Sequence, residues 1–422
     1  MSANANNAKP YVKWVNQELY DGDYRIAVIP DTQYLVQNNP EKYLEYMTWL
    51  RDNADKLNIK FAIGVGDIVD DNVDNSTQWE GPTTDWAWNE PTEWQWEWAT
   101  KGIEVLEEKV PYRFIMGNHD INMYTKDDTY LNKYMTYDKY SKIRGFGGAM
   151  EEGKVNNMYW YDYVDGVKYL TLCLEFGPEA DVLEWAKKVI EDNSDCTVFV
   201  VTHGYLTYDG TVIADDTISR NSSYNAAYGN GDDVWNAIKS YKNVAAVFCG
   251  HIEVDDVVTT SNIGTNGNKV WQILTDAQLE DMQPNPAGMV MLMTFNNDND
   301  NVGIDYVSPI RSTENNIVSY RDNHFELDFN ITDMTDGEIE VYGDKAYIHT
   351  PNADNEKSAV AILAEYESNG ALKKIVKLDN VDSLSSSNPV EIDLDEVSDS
   401  KYKVFMFDSL NNINPFVPVY AN

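Results

Sequence analysis

An α/β fold followed by a small all-β sandwich is the architecture this sequence predicts. Three observations predict it. Between residues 22 and 310, short apolar runs alternate with stretches of helical periodicity. Several of those runs end in residues suited to metal or proton chemistry. From Phe325 onward helical periodicity is missing, and short alternating stretches separated by turn clusters replace it. For the first part, the strand pattern leaves a doubly wound sheet and a helix-flanked β-sandwich both open. The division is a polar leader over 1–21, an α/β domain over 22–320 and a β-sandwich domain over 325–422.

At 422 residues the chain exceeds one domain of roughly 150 residues. Its apolar fraction of 43% is that of a folded globular protein. A formal charge of -38 and a pI near 4.3 argue against a basic face for nucleic-acid backbones and against an anionic membrane surface. The same field repels anionic substrates, so a phosphate ester needs local cations, and metal ions are the strongest of these. Cys173, Cys196 and Cys249 lack metal-binding spacing, and Cys173 and Cys249 sit in apolar runs as small buried thiols do. No apolar run reaches the roughly 18 residues of a membrane span.

Taken in order, Tyr24 to Ile29 is an apolar run stopped by Pro30 and followed by Asp31-Thr32-Gln33. Asn39 to Leu57 is a helix: Leu44, Met47, Leu50, Ala54 and Leu57 recur at helical steps, and Pro40 suits the first turn. Phe61 to Val65 is the next strand, followed by Gly66-Asp67-Ile68-Val69-Asp70. Asp70, Asp71, Asn72, Asp74 and Asn75 form an acidic loop without EF-hand spacing, expected to be solvated. Trp79, Trp86, Trp88, Trp94, Trp96 and Trp98 then pack an insertion or line an aromatic wall beside the site, and packing is the expectation. Trp94 to Val110 reads as a helix with Trp94, Trp98, Ile103 and Leu106 near one face.

Tyr112 to Met116 is a buried strand broken by Gly117, with Asn118-His119-Asp120 directly after it. Gly145 to Gly148 reads as a flexible loop. Lys168 to Leu174 is a strand ending at Glu175, Glu179 to Glu191 a helix, and Cys196 to Val201 a strand ending in Thr202-His203. Val234 to Tyr241 is a short helix, and Val244 to Cys249 a strand ending in Gly250-His251-Ile252-Glu253. Lys269 to Leu274 and Met289 to Phe295 are further strands, the first running into Thr275-Asp276-Ala277-Gln278. In the last part Glu338–Tyr342, Ala346–His349, Ser358–Tyr366, Lys373–Leu378, Val390–Leu394 and Lys401–Phe407 read as strands. His324 and His349 are read as structural or surface histidines.

Five apolar runs therefore end in Asp31, Asp67, Asn118 with His119, His203 and His251, and three of the chain's five histidines occupy such ends. Ligands of open α/β sheets gather outside the carboxyl ends of the strands. Asp31, Asp67, Asn118, His203 and His251 offer oxygen and imidazole donors suited to Mn, Fe or Zn, with Mg or Ca as further candidates. Asp67 is the natural bridge between two cations. Two metal ions about 3.5–4 Å apart clamp a phosphoryl group and supply a hydroxide, so no Ser or Cys nucleophile is needed. His119 is then free to give a proton to the leaving oxygen, with Asp120 orienting it.

The ordered blocks Asp31-x-Gln33, Gly66-Asp67-x-x-Asp70, Gly117-Asn118-His119-Asp120, His203 and Gly250-His251-x-Glu253 closely resemble the calcineurin-like metallophosphoesterase family over roughly residues 22–310. The resemblance implies a metallophosphoesterase-type central β-sandwich flanked by helices, a two-metal site at the strand ends and a phosphate-ester substrate. It implies Asp31 and Asp67 at metal one, Asp67, Asn118, His203 and His251 at metal two, and His119 as the catalytic histidine. Two positions depart from the commonest family pattern: Gln33 and Glu253 stand where histidines are frequent. Both fall on metal one, where they are expected to remain ligands, and their oxygens favour Mn, Mg or Fe over Zn. Asp-Thr-Gln at the first motif resembles a subgroup that also has counterparts of Leu174 to Pro178, of Gly267-Asn268 and of Thr275 to Gln278.

Arg144, one of few cations near the motifs, and Asn118 are the candidates for substrate binding. Ala359–Tyr366 and Tyr402–Leu410 resemble modules appended to secreted enzymes of anaerobic bacteria. That implies an extracellular or cell-surface location and a surface for cell-surface or carbohydrate contact. Monoester and diester hydrolysis both satisfy the motifs, and the scarcity of Lys and Arg around them leans slightly towards a diester or the ester of an uncharged group. The rival from another class is a degenerate phosphoesterase fold that binds a ligand or carbohydrate. Intact Asn118-His119-Asp120 argues against it, because a binder needs no proton donor. A single-metal hydrolase of another bond is the third reading.

Overall fold

Backbone pairing assembles the chain up to Asp328 into two seven-stranded sheets in the computed structural model, which describes all residues except 1–13, 17, 73–91, 123–125, 127–129, 218–219, 283–284, 297–298, 314–315, 355 and 398. In order the elements are β1 (Trp14–Asn16), β2 (Tyr24–Ile29), α1 (Gln33–Asn38), α2 (Pro40–Leu57), β3 (Ile59–Gly64), α3 (Glu93–Leu106) and β4 (Tyr112–Phe114). Then come α4 (Leu131–Tyr134), α5 (Tyr137–Tyr140), β5 (Phe146–Ala149), β6 (Met158–Val164), β7 (Val167–Cys173), α6 (Ala180–Asp192), β8 (Thr197–Val201), α7 (Gly231–Ile238) and β9 (Val244–Cys249). The part closes with β10 (Val258–Ile263), β11 (Lys269–Leu274), α8 (Gln278–Asp281), β12 (Val290–Asn296), β13 (Asn299–Val307) and β14 (Val318–Asp328).

The first sheet runs β1-β14-β13-β12-β2-β3-β4, and the second β10-β11-β9-β8-β7-β6-β5. Side-chain alternation assigns the two faces of the second sheet. Tyr169, Cys173, Phe199, Val201, Ala246 and Phe248 join Ile26, Val28, Phe61 and Met291 of the first sheet in one core. The intervening Leu170, Leu172, Val198, Val200 and Val247 pack instead on α6 and α7 through Val182, Ala186, Ile190, Val234 and Ile238. This is a mixed α/β metallophosphoesterase fold in which two sheets face one another, and it resolves the alternative of a single doubly wound sheet. β2, β3 and β4 are mutually parallel, as are β7, β8, β9 and β11. Their carboxyl ends therefore open on one rim.

Several expectations are corrected. Phe146–Ala149, expected as part of a flexible loop, forms an edge strand paired with β6. The buried face of α3 carries Trp96, Ala99, Ile103 and Leu106, whereas Trp94 is 40% exposed. Trp96 wins the core position because its indole N–H finds Asn72 Oδ1 at 3.1 Å while the ring is sealed. Trp79, Trp86 and Trp88, with Asp74 and Asn75, lie outside the described residues. The expected boundary between 320 and 325 falls inside β14, whose 325–328 end stays paired with β13 in the first sheet.

Beyond Asp328 come β15 (Glu338–Tyr342), β16 (Lys345–His349), β17 (Ala359–Tyr366), β18 (Leu372–Val381), β19 (Val390–Asp393), β20 (Lys401–Phe407) and β21 (Tyr420–Ala421). They form two antiparallel sheets, β15-β16-β19 and β18-β17-β20-β21. Ile348, Ile392, Leu363, Val404 and Met406 fill the space between them, as a β-sandwich requires. Polar contacts tie this module to the second sheet: Lys168 Nζ lies 2.6 Å from Glu338 Oε1, and Tyr163 stacks on His349 at 4.2 Å. His349 also meets Glu340 Oε2 at 3.1 Å, and His324 meets Asp305 Oδ1 at 2.7 Å, so both have structural partners. No helix among the described residues is long and apolar enough to cross a membrane.

Candidate metal centre

Three glycines make room for the site. A Cβ on Gly117 would come within 2.0 Å of Asp67 Oδ1, one on Gly250 within 2.0 Å of Asp31 Oδ1, and one on Gly66 within 2.6 Å of His203 Nδ1. Asp67 and His251 themselves adopt left-handed φ of 44° and 75°, which non-glycine residues hold only when their surroundings impose it. The strained turns after β3 and β9 aim these side chains at the common rim.

One half of the site is rich in nitrogen. Donor atoms of Asp67, His203 and His251 all lie within 4.8 Å of one another. His203 Nδ1 sits 2.8 Å from the Val65 carbonyl, which can only accept, so this nitrogen carries the proton. Nε2 then faces Asp67 Oδ2 at 3.1 Å and Asn118 Oδ1 at 3.1 Å. An imidazole, a carboxylate and an amide oxygen gathered in a buried site suit a cation. Burial alone would lower the His203 pKa, but the Asp67 carboxylate outweighs it and raises it. Burial also opposes ionisation of Asp67, yet His203 and then His119 hold that carboxyl below its usual range. Burial, reinforced by His203, pushes His251 down to about 3, which leaves its ring neutral and able to donate a lone pair. Phe176 closes the apolar side, with ring centroids 5.4 Å from His251 and 5.9 Å from His203.

The other half is built from oxygen. Asp31 is 1% exposed; its Oδ2 accepts from His251 N at 3.0 Å, and its Oδ1 has no hydrogen-bond partner. Gln33 Nε2 donates to Gln278 Oε1, while Gln33 Oε1 is buried and unpartnered. Gln278 Nε2 donates to Asp276 Oδ2 at 3.0 Å, and Gln278 N donates to Asp276 Oδ1 at 3.2 Å. Burial, then Asp276 and Asp67, raises the Asp31 pKa well above the carboxylate range, and burial pushes Asp276 up to about 7. Asp31 Oδ1 and Gln33 Oε1 are left without hydrogen-bond donors, and such oxygens suit a hard divalent cation.

His119 follows a different pattern from the one expected. Its Nδ1 lies 2.6 Å from the Asp70 carbonyl and 3.6 Å from Asp70 Oδ1, so Asp70 orients the ring. Asp120, expected in that role, instead accepts from Ile68 N, Val69 N and Gly117 N at 2.8, 3.0 and 2.7 Å. It braces the two ligand loops against each other, because its carboxylate is enclosed by backbone donors. Burial, then Asp71, lifts Asp70 to about 6. Burial lowers His119, but Asp67 and Asp70 outweigh it and raise its pKa.

The structure thus brings Asp31, Gln33, Asp67, Asn118, His119, His203 and His251 together. Glu253, expected as a ligand beside Asp31 and Gln33, is exposed. One candidate stands elsewhere. Arg144, expected to bind substrate, is held by Glu340 Oε2 at 2.8 Å and lies over the Tyr347 ring at 3.9 Å. Its carboxylate partner comes from the carboxy-terminal module, beyond the reach of motif spacing. Asp276 and Gln278 entered only through the subgroup resemblance and carried no site role, although the signal that found Asp31, a polar residue just past an apolar strand, marks them equally.

An α/β fold with buried carboxylate and imidazole donors gathered at one strand-end rim defines a metal-binding hydrolase scaffold. The profile of the calcineurin-like phosphoesterases matches residues 24–255, over half of the 422 residues, and the chain belongs to that family. The family binds divalent metal ions and hydrolyses phosphate esters. The Bacillus subtilis protein YvnB is 27% identical over 301 residues, 69% of this chain and 20% of YvnB. The chain thus spans about a fifth of the length of its curated relative. Among solved structures, GAP50, the anchor in the inner membrane complex of Plasmodium, is 13% identical, covering 74% of this chain and 90% of its own at a TM-score of 0.37. A predicted phosphoesterase from Streptococcus pneumoniae is 10% identical, covering 73% of this chain and 98% of its own at a TM-score of 0.29.

Proposed function

We propose that the chain hydrolyses a phosphate ester at a two-metal site, with His119 as proton donor to the leaving oxygen. The observation that carries this reading is the convergence of Asp67, His203 and His251 donor atoms within 4.8 Å of one another, with Asn118 Oδ1 3.1 Å from His203 Nε2. Asp67, Asn118, His203 and His251 would hold one ion, and Asp31, Gln33 and Asp67 the other. Bound divalent ions supply Lewis acidity and an activated water. The chain's own contribution is orientation and proton supply. Asp70 fixes the His119 tautomer through Nδ1, which leaves Nε2 to carry the transferable proton. His119 N donates to Asp67 Oδ1 at 2.9 Å, which ties the proton donor to the carboxylate that would serve both ions.

The test is hydrolysis of bis-(p-nitrophenyl) phosphate and p-nitrophenyl phosphate by metal-stripped protein with Mn, Fe, Zn or Mg restored. Activity that returns with a metal and falls by roughly 10²–10⁴-fold in His119→Ala, at unchanged metal content, is the expected result. Two bound ions with no turnover of either ester would favour the ligand-binding alternative. An extracellular working place belongs to the same proposal, supported by the resemblance of the carboxy-terminal module to those of secreted enzymes.

A further inference from the structure

We propose that Asp276 is a positioning residue that sets, through Gln278, which end of the Gln33 amide faces the metal site. The inference rests on the two-metal reading above and names a residue outside its ligand set. Gln33 is 2% exposed, its Nε2 is committed to Gln278, and its Oε1 is without a partner. The oxygen and nitrogen of a primary amide occupy nearly the same space, so packing alone does not choose between them. The choice decides function: an amide oxygen donates electrons to a cation, and an amide NH₂ repels it.

Gln278 makes that choice, and Asp276 makes it for Gln278. Both Asp276 oxygens accept from Gln278, Oδ2 from the side-chain NH₂ at 3.0 Å, so Gln278 keeps its oxygen for Gln33. The Gln278 backbone N–H donates to Asp276 Oδ1 at 3.2 Å, and a backbone N–H has a single polarity. The relay therefore has one sense: Asp276 accepts, Gln278 passes the polarity on, and Gln33 turns its carbonyl inward. Asp31 Oδ1 is likewise buried and without a hydrogen-bond donor. β11 fixes the far end, since Thr275 N donates to Cys249 O at 3.1 Å and Val254 N to Asp276 O at 2.8 Å.

The polarity argument makes a reciprocal prediction. In Asp276→Asn the backbone N–H of Gln278 keeps the asparagine oxygen in place, so its NH₂ faces the Gln278 side chain. Gln278 must invert, and Gln33 must then turn its own NH₂ towards the site. Adding Gln33→Glu repairs this, because one glutamate oxygen accepts from the inverted Gln278 and the other faces the cation. The experiment is equilibrium binding of manganese(II) to metal-stripped full-length protein, wild type and variants, with circular dichroism as the folding control. Asp276→Asn should weaken one of two manganese equivalents by roughly 10–100-fold, and Asp276→Asn/Gln33→Glu should recover most of it. Gln33→Glu alone should also be weakened, because its oxygen then meets Gln278 Oε1. Wild-type affinity in Asp276→Asn, or a double variant no better than the single, overturns the relay. Gln33→Ala binding both ions like wild type would instead overturn the assignment of Gln33 to metal one. If Asp276→Asn does not fold, Gln278→Met removes the middle of the relay and should produce the same loss; unchanged affinity there is equally fatal.

Discussion

The two halves of the site share a backbone device and differ in how their donors are oriented. In each, a glycine at a strand end leaves space for a side chain from another strand: Gly66 for His203, Gly250 for Asp31. In the nitrogen half, one contact from Val65 O fixes the His203 tautomer, because a carbonyl can only accept. In the oxygen half, the Gln33 amide has two nearly isosteric orientations and needs a chain of partners to select one. Imidazole orients itself against the backbone, whereas an amide ligand must import its polarity. Replacing a histidine by glutamine at a metal site therefore carries structural consequences several residues away.

The largest effect should come from Asp67, the residue proposed to serve both halves. Asp67 contacts His203 through Oδ2 and His119 through Oδ1, and its carbonyl accepts from Thr32 N and Gln33 N. Asp67→Asn should remove metal from both halves and abolish turnover, a greater loss than the roughly 10²–10⁴-fold expected for removing a general acid alone. Metal analysis of the purified variant checks this, and one fully retained ion would show that the carboxylate does not bridge.

A smaller effect should separate the halves. Gly250→Ala drives a Cβ against Asp31 Oδ1, and overpacking of this kind costs about 1–3 kcal/mol. It should weaken the oxygen-half ion while the nitrogen-half ion stays bound. Gly66→Ala should do the reverse, with added strain from a φ of +102°. Titrating manganese(II) into both metal-stripped variants reads the difference; loss of the same ion in each would mean the halves are not independent.

Sequence periodicity and strand-end chemistry picked out most residues that the fold gathers at the rim, because those residues sit in the turns directly after buried parallel strands. Tyr24–Ile29, Val244–Cys249 and Lys269–Leu274 coincide with strands of the fold, since each is apolar and sharply bounded. Val258–Ile263 and Asn299–Val307 escaped notice because their polar, Asn- and Asp-containing sequences become strands only through neighbours. Met158–Val164 escaped for a related reason, its aromatic residues giving no clean alternation. The partners of the site residues were less legible than the residues themselves. Asp70 rather than Asp120 holds His119, and Glu340 holds Arg144, because such pairings depend on which loops the folded sheets bring together.

The smallest expected effect concerns the support behind the oxygen half. Asp281, at the end of the helix that carries Gln278, accepts from Ala287 N and Gly288 N at 3.0 and 2.7 Å, and burial pushes it up to about 7. In the unfolded chain the same carboxyl titrates near 4. The folded state thus holds this proton more tightly. Its contribution to stability is fully present below about pH 4 and is lost as pH rises towards 7. Asp281→Asn keeps the accepting oxygen and replaces the acid proton with an amide donor, so it removes the titration without removing the contacts. Relative to wild type, the melting temperature of metal-stripped Asp281→Asn should therefore climb between pH 5 and 8, by on the order of 5 °C, and level off above. The difference between the two proteins isolates this group from the repulsion that the net charge of -38 adds to both. A pH-independent difference would show that Asp281 is ionised in the folded protein and that the oxygen half stands on a floor that does not titrate.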